Sequence, residues 1–137
     1  MEPKATPLLA IVDDEVESAR TLAHMLETFG WVCDLHASAA SLMRALPQER
    51  YRAVFLDLSM PEMDGIELIE HLASKGWQVP LILISGHSSS VLVAAQTIAV
   101  QSGVPILGRL EKPVRLQDIA LINQEFFDAT VPQKDRP

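Results

Sequence analysis

Strand-like runs, three of them unbroken and apolar, alternate with helix-patterned stretches along this chain, and four of those runs end beside a charged or hydroxyl side chain. Leu8 to Val12 is followed by Asp13-Asp14-Glu15, and Ala53 to Leu56 closes on Asp57. Leu81 to Ile84 is followed by Ser85, and Val104 to Leu110 leads to Lys112. Unbroken apolar runs of this length suit strands buried on both faces, which parallel sheets covered by helices provide. The alternation therefore predicts an α/β sandwich around a parallel sheet.

Between the runs, apolar residues recur at helical spacing. Glu15 to Phe29 places Val16, Ala19, Ala23 and Leu26 inward, with Gly30 as a C-terminal cap. Trp31 to Leu35 is a second strand, more polar and so expected at the sheet edge. A modest helix over Ala37 to Leu46 is stopped by Pro47, and the third strand runs from Arg52 to Asp57. The helix Ile66 to Lys75 turns Ile69, Leu72 and Ala73 inward and Glu67, Glu70 and His71 outward, with Gly76 closing it. Leu81 to Ile84 is the most apolar strand and is expected at the centre. Ser88 to Ser90 offer N-caps for a helix ending near Gln101 and Gly103. Gly108 weakens the fifth strand. The last helix, opened by Lys112-Pro113, is expected to bury Leu116, Ile119, Ile122 and Phe126.

Strict alternation requires right-handed crossovers, and the leading topology is a doubly wound, five-stranded parallel sheet of order 2-1-3-4-5. Sites in such sheets lie outside the carboxyl ends of the strands, near the switch point between strands 1 and 3. The chemistry-bearing residues all fall at such ends. A chain of 137 residues suits one domain, read here as residues 7–129 between polar tails at 1–6 and 130–137.

Composition narrows the partners. A net charge of −7 argues against direct contact with nucleic-acid phosphates and fits a metal ion or a basic protein. The single cysteine, Cys33, cannot form an internal disulfide, which favours a reducing compartment. No apolar stretch nears the roughly 20 residues of a membrane span, and no leader opens the chain. The expectation is a soluble, cytoplasmic protein.

Carboxylates brought to about 5 Å repel by roughly 3 kcal/mol per pair at an effective dielectric near 20. Mg²⁺, a hard cation that prefers oxygen ligands, removes that penalty. Asp14 and Asp57 could each supply an oxygen, Asp13 could act directly or through water, and the Ser59 carbonyl could complete the set. The Asp57 carboxylate could then accept a phosphoryl group, with Lys112 as a point charge and Ser85 as a hydroxyl donor to its oxygens. Alone, each such residue is ordinarily a helix cap or a loop residue. Together, at four strand ends, they describe a site.

These residues resemble the receiver domain of two-component response regulators. The matching pieces are Ile11-Val12-Asp13-Asp14-Glu15, Asp57 with Met60-Pro61-Glu62-Met63-Asp64-Gly65, Ile84-Ser85-Gly86, and Lys112-Pro113, over about residues 7–128. The resemblance implies a flavodoxin-like three-layer fold. It implies Asp57 as phosphoacceptor from a histidine kinase or phosphotransfer protein, with Asp13, Asp14 and the Ser59 carbonyl at Mg²⁺. It further implies Ser85 as the switch hydroxyl, Lys112 as the phosphate-binding lysine, and a cis Lys112–Pro113 bond. Such a domain is a signalling phosphoacceptor, not an enzyme acting on outside substrates. Its phosphorylated state would bias residues 91–101, 104–110 and 114–128 to control an output domain or downstream partner.

The chain departs from the family at Arg109, where an aromatic residue is usual three positions before the lysine. That puts the aromatic-flip part of the family mechanism in doubt and leaves Arg109 as a partner contact or a solvated side chain. The stretch 91–101 carries no charged residue, which points to a homodimer or partner interface within residues 91–128. His87, two residues past Ser85, could border the phosphate site, against the more ordinary role of a surface or half-buried histidine. Leu107 to Pro113 faintly resembles receivers joined to cyclic-di-GMP phosphodiesterase domains, and the chain is read as a stand-alone receiver or the front of a larger regulator.

Three rivals carry their own signatures. A haloacid-dehalogenase-type phosphatase would want Asp-x-Asp after the first strand, where this chain has Asp13-Asp14-Glu15. A flavodoxin-like binder would want hydroxyls and glycine in that loop. A degenerate receiver, acting only as an interaction module, is opposed by the complete acidic set with Ser85 and Lys112.

Overall fold

Alternate side chains of three apolar strands divide the core in two. The computed structural model describes residues 8–46, 50–59, 64–86 and 89–127. Its strands are β1 (Leu8–Val12), β2 (Val32–His36), β3 (Ala53–Asp57), β4 (Leu81–Ser85) and β5 (Ile106–Glu111). All pair in parallel, in the order β2-β1-β3-β4-β5. The helices are α1 (Val16–Glu27), α2 (Ala39–Ala45), α3 (Asp64–Lys75), α4 (Ser89–Ser102) and α5 (Leu116–Ile122), the last continued by a π-helical turn over Asn123–Phe127.

Leu9, Ile11, Phe55, Ile82 and Ile84 point to one face, where α1 and α5 cover them with Leu22, Leu26, Ile119 and Ile122. Ala10, Val12, Val54, Leu56 and Leu83 point to the other, where α2, α3 and α4 supply Leu42, Leu68, Leu72, Ala95 and Ala99. Every residue of β1, β3 and β4 is buried, as the unbroken runs require. No helix among the described residues is long and apolar enough to cross a membrane.

Helix ends follow local chemistry. Ser38 caps α2 by accepting the Ser41 N–H at 3.1 Å. Gly76 and Gly103 take φ of 71° and 80°, so that Trp77 N–H reaches the Leu72 carbonyl at 3.1 Å and Val104 N–H reaches that of Ala99 at 2.9 Å. These are the closing bonds of Schellman motifs, and side chains other than glycine resist that backbone.

Several expectations need correction. The central strand is β3, with the more apolar β4 beside it, because β1 and β3 pair directly at the switch point. Val16 and Leu116 are exposed (54% and 52%), since each lies in the first turn of its helix, beyond the strand ends that would cover it. His71 is half-buried against Trp77, ring centroids 5.8 Å apart. Trp31 is buried and donates its indole N–H to Asn123 Oδ1 at 2.9 Å, tying the entry of β2 to the end of α5. Gly108 does not simply weaken β5. Ile106 faces Leu81 and Gly108 faces Ile82, so Leu107 is an extra residue, a bulge on the edge strand. Cys33 is half-buried, and burial, with Glu27 and Asp34 nearby, pushes its thiol up to about 12. Expectations about Pro47, Met60 to Met63, His87, Ser88 and the terminal tails lie outside the described residues, as does the Phe126 side chain.

Candidate functional site

A parallel sheet directs every strand's carboxyl end to one edge, and at this edge the polar residues of four strands meet. Asp13 follows β1, Asp57 ends β3, Ser85 ends β4 and Lys112 follows β5. Asp13, Asp57 and Lys112 border an open cleft of about 680 Å³ whose polar wall also includes Asp14, Glu15 and Ser59. Its apolar wall comes from α1 (Leu22 and Met25) and from Pro113 and Val114. Asp57 lies on the floor at 1% exposure, and Asp13 is nearly as deep.

Each carboxylate is held from two sides. Asp57 Oδ1 accepts the Ser59 amide at 2.8 Å and Asp57 Oδ2 accepts Lys112 Nζ at 2.8 Å. Asp13 Oδ1 accepts the Glu15 amide at 2.9 Å, while its Oδ2 lies 3.6 Å from Lys112 Nζ. The backbone of Asp13 is itself anchored, its N–H donating to the His36 carbonyl at 3.0 Å. Lys112 N–H donates to the Ser85 carbonyl at 3.0 Å, and the Lys112–Pro113 peptide is cis, as the resemblance implied.

Charge sets the protonation order. Burial pushes the Asp57 carboxyl up, but the Lys112 ammonium, the Ser59 amide and Asp13 outweigh it and hold Asp57 below the ordinary carboxylate range. Burial also pushes Asp13 up, and there the neighbouring Asp57 adds to the effect while the Glu15 amide only partly opposes it. Of the two, Asp13 keeps a proton longer. Burial would lower the Lys112 ammonium, yet Asp57, Asp13 and Glu15 together hold it above its usual value.

Asp13, Asp14 and Asp57 each offer a carboxylate oxygen, all within 4.8 Å of one another. Among the described residues, the Lys112 ammonium is the one positive charge within 4 Å of Asp13 and Asp57, so three gathered acids outnumber it at the floor of an open cleft. A set of hard oxygen donors with that imbalance fits a small divalent cation such as Mg²⁺.

The structure thus gathers Asp13, Asp14, Asp57, Ser59 and Lys112 around one cleft. Ser85 is buried (6% exposed) and lines a neighbouring cavity of about 270 Å³ with Leu92, Arg109, Leu110 and Glu111. Arg109 is exposed and donates from Nη1 to Gln96 Oε1 at 3.2 Å, so its guanidinium lies across to α4. Two participants were missed from sequence. Glu15, read as part of the acidic run, lies 3.9 Å from Lys112 Nζ. Gly86 lets the β4 loop approach the β3 loop, since a Cβ there would stand 3.1 Å from Ser59 Oγ. Only the smallness of Gly86 signalled this.

A family model described as response regulator receiver domain matches residues 9–122. The chain belongs to that family. Among curated relatives of this receiver, the transcriptional regulatory protein FixJ of Rhizobium meliloti is 38% identical over 77 residues, covering 56% of this chain and 38% of FixJ. The response regulator protein TmoT of Ectopseudomonas mendocina is 29% identical over 112 residues, covering 82% of this chain and 49% of TmoT. The chain therefore spans less than half the length of either relative. A solved response regulator from Colwellia psychrerythraea superposes with a TM-score of 0.70 at 32% identity, covering 88% of this chain and all of that one. Membership sets aside the phosphatase and flavin-binding readings.

Proposed function

We propose that this receiver accepts a phosphoryl group on Asp57 from a histidine kinase or phosphotransfer protein and passes the event to an output domain or downstream partner. The observation that carries the reading is Asp57 itself: a carboxylate on the floor of an open cleft, hydrogen-bonded to one ammonium and flanked by two further acids. Asp13, Asp14, Asp57 and the Ser59 carbonyl would hold Mg²⁺. When bound, that ion neutralises part of the charge that phosphate brings.

The residues of the chain divide the rest. A carboxylate oxygen of Asp57 forms a bond to phosphorus as the bond from phosphorus to the donor nitrogen breaks. The electron pair leaves with the donor imidazole, which takes up a proton. Lys112, already 2.8 Å from the carboxylate, moves its hydrogen bonding to a phosphoryl oxygen. Ser85 donates its hydroxyl to another. Because the Ser85 carbonyl holds the Lys112 N–H, a shift of the Ser85 loop reaches β5 and the start of α5 directly.

The receptive unit is residues 7–129, and its output face is α4, β5 and α5. Val93 and Val100 are exposed on α4 (55% and 75%), as is Leu121 on α5 (57%), which suits a homodimer or protein partner through this face. The net charge of −7 disfavours direct nucleic-acid contact, and a cytoplasmic location fits the free Cys33. The domain turns over no external substrate beyond gaining and losing its own phosphoryl group. Radiolabel transfer from a small phosphodonor tests this: incorporation should need Mg²⁺ and stop on chelation. Incorporation indifferent to chelation would refute the metal assignment.

A further inference from the structure

The end of β2 carries a polar chain that the phosphoacceptor chemistry leaves unused. Tyr51, just before β3, donates its hydroxyl to Asp34 Oδ2 at 2.8 Å. Its one proton given there, the Tyr51 oxygen accepts from His36 Nε2, 3.2 Å away. The ring proton is then on Nε2, so His36 Nδ1 accepts the hydroxyl of Ser41 at 2.8 Å. The His36 and Tyr51 rings also meet edge to face, centroids 6.2 Å apart. Together these contacts join β2 to α2 and to the segment entering β3.

Among the described residues β2 is an edge strand, paired only with β1 and partly exposed along its length. Strand ends with one neighbour open readily. Past the paired residues, the next rung toward β1 is the Asp13 N–H donating to the His36 carbonyl at 3.0 Å. That rung fixes the backbone from which the Asp13 carboxylate reaches the cleft. We infer that His36, clasped by Ser41 on one side and by Tyr51 and Asp34 on the other, is a positioning residue for the acidic cleft. It keeps the rung closed and so sets where Asp13 stands. The functional consequence rests on the proposed metal chemistry; the structural part stands without it. Outer groups that orient a ligand govern metal affinity without touching the metal.

The test uses three variants. Tyr51→Phe deletes the hydroxyl and keeps the ring, Ser41→Ala removes only the donor to Nδ1, and Asp34→Asn keeps an acceptor for Tyr51. Two quantities are measured on the folded protein: hydrogen exchange of the Asp13 amide without metal, and Mg²⁺ affinity by calorimetry. Tyr51→Phe should speed Asp13 exchange relative to amides of β3 and β4 and weaken Mg²⁺ binding roughly tenfold, the lower end for outer-shell partners. Ser41→Ala should move both quantities in the same direction, and Asp34→Asn should match the wild type. Unchanged exchange and affinity in Tyr51→Phe overturn the inference; if that variant does not fold, unchanged values in Ser41→Ala do so. A wild-type protein that binds no Mg²⁺ would count against the proposed function, and Asp13 exchange then decides the clasp alone.

Discussion

Lys112 Nζ stands 2.8 Å from Asp57 Oδ2, and no other side chain of the described residues puts a positive charge within 4 Å of the Asp13 and Asp57 carboxylates. Removing it leaves a buried carboxylate unpaired. Because the lysine is 23% exposed, Lys112→Ala should destabilise the metal-free protein by about 2 kcal/mol, less than the 3–5 kcal/mol of fully buried pairs. Chemical denaturation checks the magnitude. An unchanged midpoint would mean water already screens the pair.

Asp13 predicts the opposite sign. Burial and the Asp57 charge raise its carboxyl, so its ionised form opposes folding. Asp13→Asn should therefore stabilise the metal-free protein by about 1 kcal/mol while sharply weakening Mg²⁺ binding. Thermal melts with and without Mg²⁺ separate the two effects.

The same shifts give a pH dependence. Asp57 is held below the unfolded carboxylate value, so its stabilisation is present above that value and is lost as pH falls through its folded one. Asp13 is raised, so its contribution is present at acid pH and is lost as pH rises through its folded value. On the proposed metal assignment, Mg²⁺ binding requires both carboxylates ionised. The rise in Tm produced by Mg²⁺ should be largest near neutral pH and vanish as pH falls through the carboxylate range, which melts across pH will show.

These couplings could not be read from sequence, although the acids themselves could. The runs 8–12, 53–57 and 81–84 are buried on both faces, so their residue types alone give parallel strands and place Asp13, Asp57 and Ser85 at one sheet edge. Glu15 was legible as an acid but not as a neighbour of Lys112, because 97 positions of the sequence separate them. His36, Tyr51 and Asp34 form no motif; their contact depends on the register of an edge strand. Val16 and Leu116 fit a helical stripe in sequence, yet the stripe ignores where the sheet stops. The Leu107 bulge leaves only Gly108 as a trace.

Arg109 borders the cavity beside Ser85, and its guanidinium is turned to Gln96 on exposed surface. Arg109→Ala should change stability by no more than about 0.5 kcal/mol and leave the rate of Asp57 phosphorylation unchanged. Stopped-flow measurement with a small phosphodonor checks the rate. A marked slowing would place the guanidinium in the switch itself.

The exposed valines of α4 test the output face. A charge at Val100, 75% exposed, should not disturb folding but should abolish any phosphorylation-dependent self-association. Sedimentation velocity of wild type and Val100→Asp, each with and without a phosphoryl-mimicking fluoride complex, checks it. Equal association in both would move the interface elsewhere.

The central claim is that Asp57 is the phosphoryl acceptor, and intact-protein mass spectrometry after incubation with Mg²⁺ and a small phosphodonor tests it most directly. The wild-type protein should gain the mass of one phosphoryl group, and Asp57→Asn, folded and still carrying Asp13, Asp14 and Lys112, should gain none. A wild-type protein that gains nothing from any donor, a kinase included, or an Asp57→Asn variant that is modified equally well, would contradict the account.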